Sequence, residues 1–337
     1  MKNRASVILP IYKALMRMWA GEKSNRRRGN ERMLLDRIAR KIRREYENHI
    51  VTNYYILKDT WQKNRLNNPT IVGISDTLCY ILENKCSVSR YGDGEIKWIL
   101  GVRQDSFQEE NKELANRLDG VLKSNGRNHI VCIANGFGDP ALFNTETRRF
   151  WSAHMGRFRK DWISHIDNKK TYYSTDISRC YLSYKSSDVA KEAFKLWSKI
   201  FAGRDLLIVE GTKTRLGVGN DLLSGVKSIR RILVPAVNAY GKYKEIQDAV
   251  EANANREDLI ILAIGPTATI LAYDLAEKGY QAIDTGHLDI EYEWYKMKAI
   301  SKVAIDGKYV NEAAWLGGRN VQESNNQEYL SQIICNL

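Results

Sequence analysis

The chain of 337 residues is 43% hydrophobic and 27% charged, ordinary globular usage that excludes wholesale disorder. Five prolines and 23 glycines exclude collagen-like and proline-rich classes, and no run of eighteen apolar residues offers a membrane-spanning helix. The net charge of +12 is uneven: residues 1–50 hold 14 Lys/Arg and 5 Asp/Glu, whereas the remaining 287 hold 38 and 35. The expectation is a basic end that touches a polyanionic surface, membrane or nucleic acid, on a nearly balanced body.

Residues 7–19 lack the uninterrupted apolar core of a secretory signal, because Lys13 and Arg17 break it. Those two share a helical face opposite Ile11, Leu15, Met18 and Trp19, and Arg26, Arg27 and Arg28 follow. Residues 1–30 thus read as a basic amphipathic arm for an anionic membrane, or as a contact with the body or a second subunit. Leu35, Ile38, Ile42, Tyr46, Ile50 and Tyr54 continue at helical steps over residues 31–58, predicting a helix packed on the main domain with a solvated basic face. Asn67-Asn68-Pro69 ends that pattern, so the expected division is a basic helical extension over 1–68 and a catalytic domain over 69–337.

Beyond residue 70 short apolar runs alternate with helical stretches. Strands are expected at 87–91, 129–134, 206–209, 229–234, 259–264 and 281–283, and helices at 111–123, 191–201, 243–251 and 268–277. Continuous apolar strands separated by helices imply an α/β fold, Rossmann-like, whose mostly parallel sheet is covered on both faces. Ligands then belong at the carboxyl ends of the strands. Five cysteines without a C-x-x-C spacing fit a reducing, cytoplasmic setting.

Four motifs fall at expected strand ends. In Arg90-Tyr91-Gly92-Asp93-Gly94-Glu95, an extended segment would point Asp93 and Glu95 the same way, toward one hard cation or simply into solvent. The loop from Glu210 to Leu222 carries Gly217 and Gly219, whose amides can approach an anion, and Arg215, which can fork onto phosphate; Asn220 or Asp221 would cap a following helix. Gly265-Pro266-Thr267 opens a helix whose free N–H groups suit phosphate or ribose, although every helix start needs capping. Asp284 to Trp294 places His287 among four more carboxylates, a source of a metal ligand or general base.

These segments, with Ile177-Ser178-Arg179 and Pro235-Ala236-Val237-Asn238-Ala239-Tyr240, occur in an order that resembles the GT-D type glycosyltransferases of bacteria over about residues 75–310. One departure is Cys180, where the resemblance leads one to expect proline. The resemblance implies a D-x-E metal motif at Asp93 and Glu95 for Mn²⁺ or Mg²⁺, and a UDP-sugar donor, typically UDP-glucose. Arg90, Arg179, Arg215, Gly217, Gly219, Asn220, Asp221, Gly265 and Thr267 would then surround the donor, and His287, Asp289 or Glu291 would take the acceptor proton.

The expected function is transfer of a hexose, glucose by the resemblance, to a lipid-linked or protein-linked glycan acceptor at the cytoplasmic face of a membrane. A dinucleotide-dependent oxidoreductase would need a G-x-G-x-x-G turn, which is absent. A nucleic-acid binder would carry its basic residues across the body, which the charge distribution denies.

Overall fold

A computed structural model describes residues 39–104 except 44, 108–318 and 321–337. The amphipathic arm expected over residues 1–30 lies outside these described residues. Eight strands form one sheet: β1 Ser87–Tyr91, β2 His129–Ile133, β3 Tyr173–Ser174, β4 Asp205–Gly211, β5 Ser228–Val234, β6 Leu259–Ala263, β7 Gln281–Asp284 and β8 Ile333–Asn336. Their order is β3-β2-β1-β7-β6-β4-β5-β8, and every pairing is parallel. The mostly parallel α/β sheet read from the sequence is thus present; six of its strands agree with the expected ones within a few residues, while β3 and β8 were not foreseen.

Alternation along each strand feeds two cores. Leu206 and Ile208 join Leu259 and Ile261 on one face, against α2 (Ile74–Asn84) and α6 (Asp188–Phe201). Leu207 and Val209 join Ile260 and Leu262 on the other, against α7 (Tyr243–Asn253) and α8 (Pro266–Glu277). Burial on both faces is why these strands read as unbroken apolar runs. On the side of β1 and β2, α4 (Lys112–Lys123) and α5 (Thr145–His165) cover Tyr91, Val131 and Ile133.

The helical extension is fastened to the body. α1 (Thr52–Lys63) lies along α5, and Asp59 Oδ1 accepts from Arg159 Nε at 2.9 Å and Nη2 at 2.7 Å. Arg159 is fully buried and also donates to Asn68 Oδ1 at 2.7 Å, which ties the Asn67-Asn68-Pro69 break to the same helix. Burial raises the Asp59 carboxyl above its ordinary value although the Arg159 charge pulls it down. The two helices approach at Gly156, where a Cβ would stand 1.8 Å from the Tyr55 carbonyl oxygen.

That approach makes Gly156→Ala a direct test of the docking. The methyl group meets backbone rather than a movable side chain, so α1 must shift and loosen the buried Asp59–Arg159 pair. A loss of about 3 kcal/mol is expected, the upper end for an overpacked interior, read as a lowered thermal midpoint. An unchanged midpoint would show that α1 contributes nothing to the body's stability.

Candidate active site

The sheet has a seam between β1 and β7, where only Val88 and Ile283 are in register. Side chains replace the missing ladder. Ser87 Oγ donates to the Tyr280 carbonyl at 3.1 Å and accepts from Ala282 N at 2.9 Å. Thr269 Oγ1 contacts the Arg90 carbonyl at 3.1 Å and Asp284 Oδ2 at 3.2 Å. Arg90 donates from Nε to the Asp284 carbonyl at 2.7 Å, from Nη2 to Asp284 Oδ1 at 3.0 Å and from Nη1 to Ser178 Oγ at 2.7 Å. Gly286 has a φ of +48°, and a Cβ there would sit 1.8 Å from Arg90 Nη2, so only glycine permits the turn after β7. Above this seam, at the carboxyl ends of the strands, opens a cleft of about 590 Å³.

Asp93 and Glu95 both line the cleft, but not by the geometry expected. They begin the helix α3 (Asp93–Ile99) rather than continue a strand, so their side chains leave the axis about 200° apart. Glu95 Oε2 folds back to accept the Gly92 N–H at 2.7 Å, and Asp93 Oδ2 pairs with Lys97 at 2.5 Å. Burial works against ionisation of both. For Asp93 the Lys97 charge prevails and the carboxyl falls below its ordinary value; for Glu95 burial prevails and the carboxyl rises.

The glycine loop departs from expectation in three ways. Arg215 is buried, with Nη1 on the Gly307 carbonyl at 2.8 Å and Nη2 on the Gln322 carbonyl, so it clamps the C-terminal segment and does not line the cleft. The Gly217 amide donates to Asp289 Oδ1 at 2.9 Å and is spent; Gly219, like Gly217, lies off the cleft wall. No helix follows: Asn220 accepts from Leu222 N at 3.0 Å and donates to Asp289 and Glu293, while Asp221 faces outward to Tyr292 and Lys296.

The acidic cluster after β7 divides likewise. Asp289 and Glu291 stand in the first turn of α9 (Leu288–Lys296), where acidic residues complement the helix dipole. Asp289 is buried and braces Gly217, Asn220 and Lys308, the last at 2.7 Å. Glu291 is buried and accepts the N–H groups of Tyr181 at 3.0 Å and Leu182 at 3.2 Å. Burial raises both carboxyls. Neither is free to serve as a base, whereas His287 opens onto the cleft.

His287 Nδ1 lies 2.7 Å from Glu312 Oε1, which Arg179 Nη2 also reaches at 2.7 Å. Burial opposes ionisation of Glu312, but His287 and Arg179 together hold its carboxyl well below the ordinary range. A carboxylate only accepts, so this contact places a proton on Nδ1, and in the neutral imidazole the lone pair is then on Nε2. Arg179 lines the cleft beside it. Gly265, at φ +62°, and Pro266 also line it at the start of α8; Thr267 is buried behind them, with Oγ1 unpartnered.

Three cleft carboxylates escaped the sequence reading, the first of them Glu146 in the opening turn of α5. Glu312 comes from a segment 25 residues beyond His287, without a local motif. Asp176 lies in the turn after β3, buried, accepting from the Tyr184 hydroxyl at 2.7 Å. Burial pushes its carboxyl up to about 6, against the opposing pull of Tyr184 and Arg179.

Residues 88–313 match the protein family described as Glycosyltransferase GT-D fold. The chain is 36% identical over 269 residues to "Probable glycosyl transferase Gly" of Streptococcus gordonii, covering 80% of this chain and 39% of that protein. It is 35% identical over 283 residues to "Glycosyltransferase GlyD" of Streptococcus pneumoniae serotype 4, covering 84% of this chain and 34% of that one. The chain therefore spans little more than a third of the length of these curated relatives. A solved structure described as "The highly conserved domain of unknown function 1792 has a distinct glycosyltransferase fold" superposes with a TM-score of 0.77 at 36% identity, covering 82% of this chain and 99% of that one. Another, "A New Glycosyltransferase (DUF1792) from Streptococcus sanguinis", gives 0.75 at 35% identity, covering 80% and 99%.

The Asp176 environment yields a signed pH effect. Its carboxyl rises from an ordinary 3.8 to about 6, so the folded state holds the proton more tightly and stability falls as pH rises through that window. Asp176→Asn keeps an acceptor for Tyr184 and removes the buried charge. It should stabilise the protein at pH 8 by up to about 3 kcal/mol, and the gain should vanish near pH 4. Thermal melts at both pH values check this; a loss of stability at pH 8 would contradict it.

Proposed function

The chain belongs to the GT-D-fold glycosyltransferase family, and we propose that it moves a hexose from a UDP-sugar to a glycan acceptor with the help of a divalent cation. Glucose is the sugar indicated by the family resemblance. Acceptors in surface polysaccharide or glycoprotein synthesis suit such a transfer, and the basic charge of residues 1–50 favours work at the cytoplasmic face of an anionic membrane. Among the described residues no helix is long and apolar enough to cross a membrane.

The charge of the cleft is the observation that carries the cation requirement. Asp93, Glu95, Glu146, Asp176, Asp284, Asp289 and Glu312 line it against Arg90, Arg179 and Lys302, seven carboxylates to three cations. Lys97 and Lys308, paired to Asp93 and Asp289, still leave a deficit of two. A diphosphate entering this cleft meets no surplus of positive charge, which favours its arriving with a cation. The residues fit one. Asp93 spends Oδ2 on Lys97 and Glu95 spends Oε2 on the Gly92 amide, so each keeps one oxygen to offer a hard ion; because the two leave α3 about 200° apart, such an ion would take only part of its shell from them and the rest from phosphate oxygens and water. Among the described residues no group of three or more His, Cys, Asp or Glu assembles a metal cage, and a site shared with substrate phosphates does not need one. A divalent cation held there supplies charge to the diphosphate as it departs.

The protein's own residues supply the rest. Arg90 and Arg179 fix the cleft wall while retaining N–H directions beyond those spent on Asp284, Ser178 and Glu312. The acceptor hydroxyl attacks the anomeric carbon, and His287 Nε2 takes its proton. Glu312 holds the required tautomer and stabilises the imidazolium that results.

Two measurements test this reading. Calorimetry should show UDP binding at least about tenfold weaker in EDTA than with Mn²⁺, with the difference abolished in Asp93→Asn and Glu95→Gln. Metal-independent UDP affinity would remove the cation from the scheme. In turnover assays, His287→Ala should lower kcat by about 10²–10⁴-fold with UDP affinity retained. Glu312→Gln should cause a smaller loss of about tenfold, since it keeps the shape but not the charge. Wild-type turnover in His287→Ala would assign the base elsewhere.

A further inference from the structure

The cleft has unlike ends. At the ends of β4, β5 and β6, Gly211, Pro235, Ala236 and Ala239 form a wall of small residues, where a Cβ on Gly211 would stand 3.2 Å from Ala236 Cα. The middle, over the β1–β7 seam, carries Asp93, Glu95 and Arg90. The far end is one face of α5: Glu146, Thr147, Phe150 and Trp151 recur at helical spacing and all border the cleft. Phe150 is 47% exposed. Its ring is held all the same: it stacks on His154 at 20° with centroids 6.2 Å apart and meets Trp151 edge-on at 5.2 Å. His154 is itself buried and fixed by the Trp162 indole N–H at 3.1 Å.

We propose that this face of α5 is the acceptor subsite, where a pyranose ring stacks on Phe150 and its hydroxyls reach Glu146 and Thr147. The inference rests on the glycosyltransferase reading above and adds the class and position of the second substrate. A flat aromatic surface suits the C–H face of a sugar ring, and a carboxylate with a hydroxyl one turn away suits its polar rim. The donor leaves this end free. Its diphosphate belongs with Asp93 and Glu95, and the start of α8 at Gly265 and Pro266 draws phosphate or ribose toward the small-residue wall. The nucleoside then fills the narrow end, and the acceptor faces the anomeric carbon from the α5 end.

The test compares wild type with Phe150→Ala and Phe150→Tyr, using UDP with Mn²⁺ and p-nitrophenyl glycosides of glucose, galactose and N-acetylglucosamine as probes. Saturation-transfer NMR should show at least one glycoside bound to wild type through its ring protons. Phe150→Ala should weaken that binding about tenfold, the scale of one stacking contact, and Phe150→Tyr should restore it. UDP affinity and slow donor hydrolysis should be equal in all three proteins. A fall in UDP affinity in Phe150→Ala would place the nucleobase on this ring and overturn the proposal. So would a wild type that binds UDP yet binds none of the glycosides. A wild type that neither binds UDP nor hydrolyses a UDP-sugar would instead reject the underlying donor assignment.

Discussion

The seam between β1 and β7 governs this molecule. Backbone pairing there is reduced to one registered position, and the two halves of the sheet are joined by hydroxyls and by the Arg90–Asp284 pair. A buried ion pair contributes little net stability when its desolvation is counted, but losing one partner leaves an isolated charge behind. Arg90 and Asp284 are therefore retained together, with Ser178 and Gly286 shaped around them. Because neighbouring loops diverge at such a point in a parallel sheet, the cleft opens directly above it. The interaction that closes the sheet is also the floor of the site.

Most of the remaining cleft cations are engaged by carboxylates in the same way: Lys97 by Asp93, Arg179 by Glu312 and Lys308 by Asp289. A sequence shows which groups can bind phosphate but not which are already occupied. Arg215 looked available because no acidic residue stands near it in the chain, yet two backbone carbonyls from residues 307 and 322 claim it. Asp289 and Glu291 looked like bases because they flank His287, yet each is consumed holding a neighbouring turn. Distant partners decided each case, and short-range spacing carries no trace of them.

The strands were legible because a sheet buried on both faces writes continuous apolar runs, as in residues 206–209 and 259–264. The 21-residue helix α5 went unread for the opposite reason. Its buried face contains His154, Gly156 and Arg159, so its inner surface does not repeat as an apolar stripe. β3 has two residues and β8 four, too few to establish a period. Within the site, parts of the strand-end motifs line the cleft, Asp93, Glu95, Gly211, Gly265 and His287 among them, whereas Arg215, Gly217 and Gly219 lie off it. The extended geometry assumed for Asp93 and Glu95 failed because a helix begins at Asp93 itself.

The site is also held at a cost to the fold. Burial raises the carboxyls of Glu95, Asp176, Asp289 and Glu291, so each is harder to ionise in the folded chain than free in water. A structure optimised for stability alone would not concentrate unfavourable charge around one opening. A divalent cation brought in with the proposed donor would supply the positive charge that these carboxylates lack. Clamps stand behind the wall. Arg215 and Lys308 pin the segment that delivers Glu312 to His287. Losing either clamp would loosen the segment that carries Glu312 and its 2.7 Å contact with His287.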